Sequence, residues 1–283
     1  MVAKNNKNTG VRPFLKWAGG KFRLIERIRT HLPPGKRLIE PFVGSGAVFL
    51  NVEYPEYLLA DINPDLIALY RMVQEEGEAF IARIRHYFVE ANNTPDAYYA
   101  LRERFNDCVD SEERAALFVY LNRHGYNGLC RYNASGGFNV PFGRYKKIYF
   151  PESELRYFHQ KSQRATFVCA DFSEVMSQAR KGSVVYCDPP YVPLSATANF
   201  TAYASRKFGR AAQFGDEQQK QLAGLAGKLA KKGVPVLLSN HDNAFTRDAY
   251  RSADQVTAFP VRRFISCNGE RRDNAGELLA LYA

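Results

Sequence analysis

The sequence predicts a doubly wound α/β fold, in which helices cover both faces of a largely parallel sheet. Three observations predict this fold. Short apolar runs bounded by Gly, Pro or Asp recur along the chain, and helical patterns lie between several of them. A third observation concerns size, because 283 residues of which 46% are hydrophobic can form one large or two ordinary domains.

Five apolar runs are predicted to be buried strands. They cover residues 37–42, 57–60, 166–169, 183–187 and 235–238. The last run follows an amphipathic pattern over residues 218–232, in which Leu222, Leu225 and Leu229 recur at helical spacing and lysines occupy the other face. This order predicts a helical crossover that leads into a parallel strand.

The segment from residue 64 to 151 differs in character and is predicted to be an inserted, mainly helical domain. Helical patterns over 65–90, 95–106 and 111–123 precede a stretch rich in Gly, Asn, Tyr and Arg, in which turn-forming residues at 134–137 predict a hairpin loop. The remaining chain is then divided into a disordered basic tail at 1–11 and a main domain at 12–63 and 152–283, with a flexible loop at 204–215.

Composition narrows the possible partners. The net charge is +10 and the isoelectric point is near 9.3, which favours a polyanion such as nucleic acid or an acidic membrane surface. Because the chain shows neither a signal peptide nor a long apolar span, we expect a cytoplasmic protein with no membrane partner. Five widely spaced cysteines and five scattered histidines predict reduced thiols and no metal site.

A glycine motif, Glu40-Pro41-Phe42-Val43-Gly44-Ser45-Gly46, follows the first predicted strand. Gly44 and Gly46 would let the backbone turn tightly and approach a ligand, or would simply form a turn. The third glycine of a dinucleotide fingerprint is missing, which disfavours a pyrophosphate cofactor.

Two acidic residues follow later strands. Asp61 is placed to bind the ribose hydroxyls of an adenosine cofactor, although it could instead cap the helix that begins near Pro64. Asp171 and Phe172 repeat the pattern of a strand followed by Asp, and they could hold the adenine of the cofactor by a hydrogen bond and a ring contact.

The segment Asp188-Pro189-Pro190-Tyr191 follows an apolar strand and suits methylation of an adenine amine. The N6 lone pair is delocalised into the ring, so two fixed acceptors and no competing donor are needed to make N6 nucleophilic. Asp188 and the carbonyl of Pro189 can be those acceptors, because proline lacks an N–H and has a fixed φ. Tyr191 offers a ring on which a flipped base can stack. A rigid turn with Asp188 as a local cap is the structural alternative.

With these motifs, the chain from about Phe14 to Tyr282 resembles the Dam family of DNA adenine methyltransferases. Further shared motifs are Leu15-Lys16-Trp17-Ala18-Gly19-Gly20-Lys21, Leu121-Asn122-Arg123, the run from Gly125 to Asn133, and the run from Asn139 to Tyr145. The resemblance implies a Rossmann-like methyltransferase sheet, S-adenosylmethionine as cofactor and double-stranded DNA as substrate. Residues 204–215 and 269–276 depart from the family pattern.

The resemblance also implies roles for individual residues. Trp17 and Lys21 would contact the methionine end of the cofactor, together with the backbone from Phe42 to Gly46, while Asp188 lies near the sulfonium. A GATC target would be read by residues 122–147, with Lys16 also reaching the DNA. The residue types suit base-edge, phosphate and wedge contacts, and the candidates are Tyr126, Asn127, Leu129, Arg131, Pro141, Arg144 and Tyr145, with Lys146 and Lys147 adding backbone contacts.

Two other functions remain open at this level. One is methylation of RNA or of a protein amide, although such enzymes usually carry Asn where this chain has Asp188. The other is a non-catalytic DNA-binding relative, although its expected sign, damage to the glycine loop or to Asp188–Tyr191, is not seen. We expect a monomer, because one reading segment and one catalytic site can act together in one chain.

Overall fold

The computed structural model describes residues 10–191, 214–261 and 275–283, which contain a seven-stranded sheet of order β3-β2-β1-β4-β5-β7-β6. Strands β1 to β5 are mutually parallel, whereas β7 runs antiparallel to both β5 and β6. The strands are β1 (Arg37–Glu40), β2 (Glu56–Asp61), β3 (Ala165–Cys169), β4 (Ser183–Cys187), β5 (Val236–His241), β6 (Gln255–Val261) and β7 (Ala275–Tyr282).

Helices cover both faces of this sheet. Successive strand residues point to opposite faces, so Leu38 and Val184 join one buried cluster while Ile39 and Val185 join the other. The helices are α1 (Ile25–His31), α2 (Pro64–Glu76), α3 (Glu78–Arg85), α4 (Pro95–Asp107), α5 (Ser111–His124), α6 (Glu152–Ser162), α7 (Phe172–Met176), α8 (Asp216–Ala230) and α9 (Ala244–Ala249).

The predicted fold class is confirmed, and all five predicted strands are present with small differences in their ends. Strand β1 ends at Glu40 rather than at residue 42, because Pro41 has no N–H for the ladder. The single helix predicted over 65–90 is wrong. The chain bends at Gly77, where φ is 50° and an added Cβ would lie 2.7 Å from the His159 ring, so α2 and α3 are separate helices.

The sequence analysis did not predict β6 and β7. Strand β6 lies at the edge of the sheet, is largely exposed and contains Pro260, so it lacks the apolar run by which the other strands were identified. Strand β7 pairs with β5 along six residues and completes the burial of that strand. The antiparallel edge therefore depends on tertiary pairing that a local pattern does not encode.

The segment between β2 and β3 contains α2 to α6 and a long loop. Its helices share a buried cluster with the sheet, where Tyr70 of α2 packs against Phe158 of α6 and Phe167 of β3. In the loop, a bridge joins Gly125 to Phe142 and another joins Tyr132 to Phe138. The turn predicted at 134–137 lies inside the second bridge, so the loop folds back on itself.

Some segments with sequence predictions lie outside the residues that the structure describes. Residues 1–9 of the predicted tail, 204–213 of the predicted loop and 269–274 lie outside the described residues. Cys108, Cys130, Cys169 and Cys187 are free thiols. Within the described ranges, no group of His, Cys, Asp and Glu has the arrangement of a metal site, and no helix is long and apolar enough to cross a membrane.

Candidate active site

The candidate site lies at the carboxyl ends of β1, β2, β4 and β5. Strand β1 sits between β2 and β4, so the connections leave it in opposite directions and open a crevice at this edge of the sheet. Glu40, Asp61 and Asp188 end or follow three of these strands and therefore bring three carboxylates to the crevice. Ligands of open α/β sheets bind at such a switch point.

Asp188 follows β4 and is held from two sides. Its Oδ1 accepts a hydrogen bond from Ser239 Oγ at 3.1 Å and lies 2.8 Å from Lys21 Nζ. Ser239 is itself buried and lies 3.0 Å from the Tyr186 hydroxyl. The position of the carboxylate is therefore determined by strand β5 as well as by its own strand.

The Lys21 ammonium group lies on the Asp188 carboxylate and also donates to the carbonyl of Gly19 at 2.8 Å. Lys21 is therefore a donor beside the carboxylate that the sequence motif assigns to the adenine amine. Burial raises the pKa of Asp188, while the Lys21 charge and the hydrogen bonds from Lys21 and Ser239 oppose that rise.

The Tyr191 ring is fixed within the same cluster. Its hydroxyl donates to Glu277 Oε2 at 2.8 Å, its ring meets the His241 ring edge-on at 4.1 Å, and Lys21 Nζ lies 4.5 Å from its centroid. Glu277 and His241 face each other across β7 and β5. Strand β7, which the sequence did not predict, thus supplies Glu277 to orient Tyr191, and β5 supplies His241.

The two prolines leave one carbonyl available. The carbonyl of Pro190 accepts a hydrogen bond from Gln219 Nε2 at 3.1 Å, and Gln219 is fully buried against Asn240 and Tyr250. Among the described residues, none donates to the carbonyl of Pro189. Pro189 is therefore the proline whose carbonyl can accept a hydrogen bond from a ligand.

Asp61 is bound to the glycine loop. Its Oδ2 accepts from the backbone N–H of Gly44 at 3.1 Å and its Oδ1 accepts from that of Asn63 at 3.0 Å. The side chain of Asn63, not that of Asp61, caps α2, so the capping alternative for Asp61 does not hold. The Trp17 indole covers Gly44, because a Cβ added there would lie 3.0 Å from Trp17 Nε1.

Glu40 is a site residue that the sequence analysis did not single out. It is 2% exposed, and its Oε1 is buried without a hydrogen-bond partner among the described residues. Burial, together with the nearby Asp188 charge, raises the pKa of Glu40 to about 8. A carboxyl group in an otherwise apolar strand was the available signal, because such a group is rarely fully buried without a partner.

Three aromatic rings form a second part of the crevice. Phe42 stacks on Phe172 with centroids 5.6 Å apart, and Phe214 meets both rings edge-on. Phe214 was not predicted, because it stands outside any motif. Asp171 caps α7, where its Oδ1 accepts from the N–H of Ser173 at 2.9 Å and from its hydroxyl at 2.6 Å.

The predicted DNA-reading residues belong to the loop that follows α5, except for Lys16, which contacts that loop. Tyr126 and Asn127 are exposed, and Asn127 has a φ of 53°. The backbone N–H of Asn127 donates to the Tyr145 hydroxyl at 2.9 Å, and Lys16 Nζ lies 3.7 Å from the centroid of that ring. Lys16 Nζ also donates to the carbonyl of Arg123, while burial and the Arg123 charge lower the pKa of Lys16 to about 8.

The remaining candidates for reading the DNA target differ in their solvent exposure and in their hydrogen bonds. Pro141 and Arg144 are exposed, whereas Leu129 packs partly against the core. Arg131 is exposed, but its guanidinium donates to the side chain and the carbonyl of Asn139. The loop that carries these candidates is anchored by the contacts of Lys16 and Tyr145.

Comparisons with known proteins agree with this geometry. The pattern that defines the D12 class N6 adenine-specific DNA methyltransferases matches residues 17–262. A DNA adenine methylase of Salmonella typhi is 54% identical over 271 residues, covering 96% of this chain and 95% of its own length. DNA adenine methylases of Serratia marcescens and Escherichia coli K12 are 55% and 53% identical, with 98% and 95% of their own lengths covered.

Proposed function

Because the chain belongs to the D12 class of N6 adenine-specific DNA methyltransferases, we propose that it methylates a flipped adenine within GATC in duplex DNA, with S-adenosylmethionine as the donor. Site-specific methylation of adenine N6 in DNA is the activity of the family. The GATC target, the cofactor and the residue roles are the parts proposed here. One observation carries the residue roles: a buried carboxylate, a proline carbonyl with no donor among the described residues and a fixed tyrosine ring meet at the switch point of the sheet. The GATC target rests on the resemblance to the Dam family.

The crevice suits S-adenosylmethionine at both ends. Glu40 presents a buried carboxyl oxygen without a partner in the described chain, which favours a cationic group beside it. Phe42, Phe172 and Phe214 offer apolar faces for a purine ring. When bound, this cofactor supplies an electrophilic methyl group on a sulfonium. Trp17, the loop from Phe42 to Gly46, Asp61 and Asp171 would surround the rest of it.

Asp188 and Pro189 would activate the acceptor nitrogen. Each accepts a hydrogen bond from one N–H of the adenine amine, which draws the N6 lone pair out of conjugation and toward the methyl group. Lys21 and Ser239 both contact Oδ1 of Asp188, so Oδ2 is the oxygen that an N–H of the base would approach. Catalysis then consists mainly of positioning and electrostatic stabilisation.

The Tyr191 ring would stack on the flipped adenine. Its hydroxyl is anchored to Glu277 and its edge to His241, so the ring loses little further freedom when the base arrives. Tyr126, an exposed residue at the start of the loop, would fill the space that the flipped base leaves in the duplex. The helical segment 64–151 would act as the target-recognition domain that presents this loop.

The target would be read by residues of the same loop, most of which are exposed. Arg131 and Arg144 suit guanine or phosphate, Asn127 suits a base edge, and Leu129 and Pro141 suit a thymine methyl group. Lys16 and Tyr145 would approach the DNA beside them. Because the reading loop and the catalytic crevice belong to one chain, the proposed unit is a monomer. The proposed location is the cytoplasm.

The direct test combines labelled S-adenosylmethionine with two duplexes of equal length, one containing GATC and one with the same bases scrambled. Label on the GATC duplex alone is expected. Label on both duplexes equally would refute the GATC target while leaving the cofactor proposal intact. Label on neither would refute the GATC target, and it would refute the cofactor proposal as well if the protein also fails to bind S-adenosylmethionine.

A further inference from the structure

Asn122 joins two parts of the chain that are 106 residues apart. It lies in the last turn of α5 and is 2% exposed. Its Oδ1 accepts from the backbone N–H of Lys16 at 2.8 Å, and its Nδ2 donates to the Lys16 carbonyl at 2.7 Å. Such two-point pairing fixes both the position and the orientation of the Lys16 main chain, as a neighbouring strand would.

The reading loop contacts the same place. Nδ2 of Asn122 lies 3.5 Å from the carbonyl of Gly128, and Gly128 is packed so tightly that an added Cβ would lie 2.2 Å from that of Lys16. Gly128 also has a φ of 62°, which disfavours any other residue. Displacement of the loop at Gly128 must therefore be transmitted to Lys16 and Asn122.

Lys16 is connected onward in both directions. Toward the loop, its ammonium group lies over the Tyr145 ring, and the Tyr145 hydroxyl accepts from Asn127. Toward the crevice, the next residue is Trp17, which covers Gly44, and four residues further Lys21 lies on Asp188. The Lys16 main chain is therefore a short link between the loop and the catalytic carboxylate.

We propose that Asn122 is a positioning residue for target specificity. It holds the Lys16 main chain so that the state of the reading loop sets the positions of Trp17 and Lys21, and methyl transfer then depends on the base sequence bound by the loop. Asn122 itself touches neither the base nor the cofactor in this scheme. The inference rests on the proposed roles of the loop and of Asp188.

A matched control exists in the same chain. Asn51 is 8% exposed and pairs with the main chain of Val11 through the same two points, at 2.7 and 2.8 Å. Asn51→Ala therefore removes an equivalent buried amide pairing that links other segments. A loss of stability alone would appear in both variants, whereas a loss of specificity would appear only in Asn122→Ala.

The experiment measures single-turnover methylation of a GATC duplex and of three duplexes that each differ from it by one base. We expect the ratio of cognate to altered-site rates to fall about tenfold in Asn122→Ala and to stay at the wild-type value in Asn51→Ala. Cofactor affinity, measured separately, should stay within about twofold of wild type in Asn51→Ala.

Asn122→Asp covers the case in which the alanine variant does not fold. It keeps the acceptor for the Lys16 N–H and loses the donor to the Lys16 carbonyl, so a smaller fall in the ratio is expected. An unchanged ratio in the folded Asn122 variants, or an equal fall in Asn51→Ala, would overturn the inference. Equal methylation of all four duplexes by the wild-type enzyme would instead refute the GATC proposal on which the inference rests.

Discussion

Lys21 Nζ lies 2.8 Å from Oδ1 of Asp188, the carboxylate that the catalytic proposal assigns to the amine of the adenine. Burial raises the pKa of Asp188, and the charge and hydrogen bond of Lys21 oppose that rise. Lys21 therefore favours the ionised form of Asp188, which is the form that accepts hydrogen bonds with both oxygens.

Replacement of Lys21 by Met should shift the pH dependence of methyl transfer. Without the neighbouring positive charge, the pKa of Asp188 rises, so a smaller fraction is ionised at neutral pH. The acidic limb of the single-turnover pH–rate profile should therefore move to higher pH, while Lys21→Arg should move it less. An acidic limb that stays in place in Lys21→Met would show that the ion pair does not control Asp188.

Glu40 should make the cofactor-free protein less stable as the pH rises. The pKa of Glu40 is about 8 in the folded chain against an ordinary value of 4.5, so only the unfolded chain releases this proton between those values. The Glu40 contribution to stability is therefore present below pH 4.5 and is lost as the pH rises toward 8. Asp188 raises this pKa further, while Lys161 and a backbone N–H oppose the rise.

Glu40→Gln removes the titrating group while keeping its shape. The expected result is a higher Tm than wild type at pH 8, a small difference at pH 5, and weaker binding of S-adenosylmethionine. Glu53→Gln is the control, because Glu53 is exposed, pairs with the Lys161 ammonium group and has a lowered pKa. Equal dependence of Tm on pH in Glu40→Gln and wild type would contradict the assignment.

Two substitutions of Tyr191 should separate the effect of its ring from the effect of its hydroxyl group. Tyr191→Phe keeps the stacking face and loses the hydrogen bond to Glu277, so the single-turnover rate should fall about fivefold, which corresponds to about 1 kcal/mol. Tyr191→Ala loses the stacking face as well and should cost a further factor of about 10 or more. If Phe and Ala variants lose the same rate, the ring has no stacking role.

Arg144 should contribute to DNA binding through its charge. It is exposed on the reading loop, so Arg144→Ala should weaken binding to duplex DNA and reduce the salt dependence of log Kd by about one unit of slope if it contacts phosphate. Arg251→Ala is the control, because its side chain is 79% exposed beside Asp248. Binding by Arg144→Ala that matches the control at every salt concentration would contradict the contact.

The sequence was sufficient to predict the parallel part of the sheet, because buried parallel strands are continuous apolar runs ended by Asp, Gly or Pro. It was not sufficient for β6 and β7, which lie at an exposed antiparallel edge and are defined by pairing with β5. As a result, the anchoring of Tyr191 by Glu277 and His241 could not be predicted.

The same contrast holds within the site. Asp188 could be singled out because Pro189 and Pro190 follow it, and Asp61 because it ends a strand. Other features depend on distances between remote segments. They are the ion pair of Lys21 with Asp188, the Glu40 oxygen without a partner in the described chain, and the contact of Phe214 with Phe42. The motifs therefore identified candidate site residues, whereas the contacts between those residues could be read only from the tertiary structure.

The most direct test of the central claim is single-turnover methyl transfer by Asp188→Ala with saturating GATC duplex and S-adenosylmethionine. Asp242→Ala serves as the control, because this carboxylate follows the neighbouring strand β5 and is paired with Arg247. The proposal predicts that Asp242→Ala keeps a rate close to that of wild type and that Asp188→Ala shows no transfer. Transfer by folded, cofactor-bound Asp188→Ala at a rate close to that of wild type would contradict the role of Asp188 as the acceptor that activates N6.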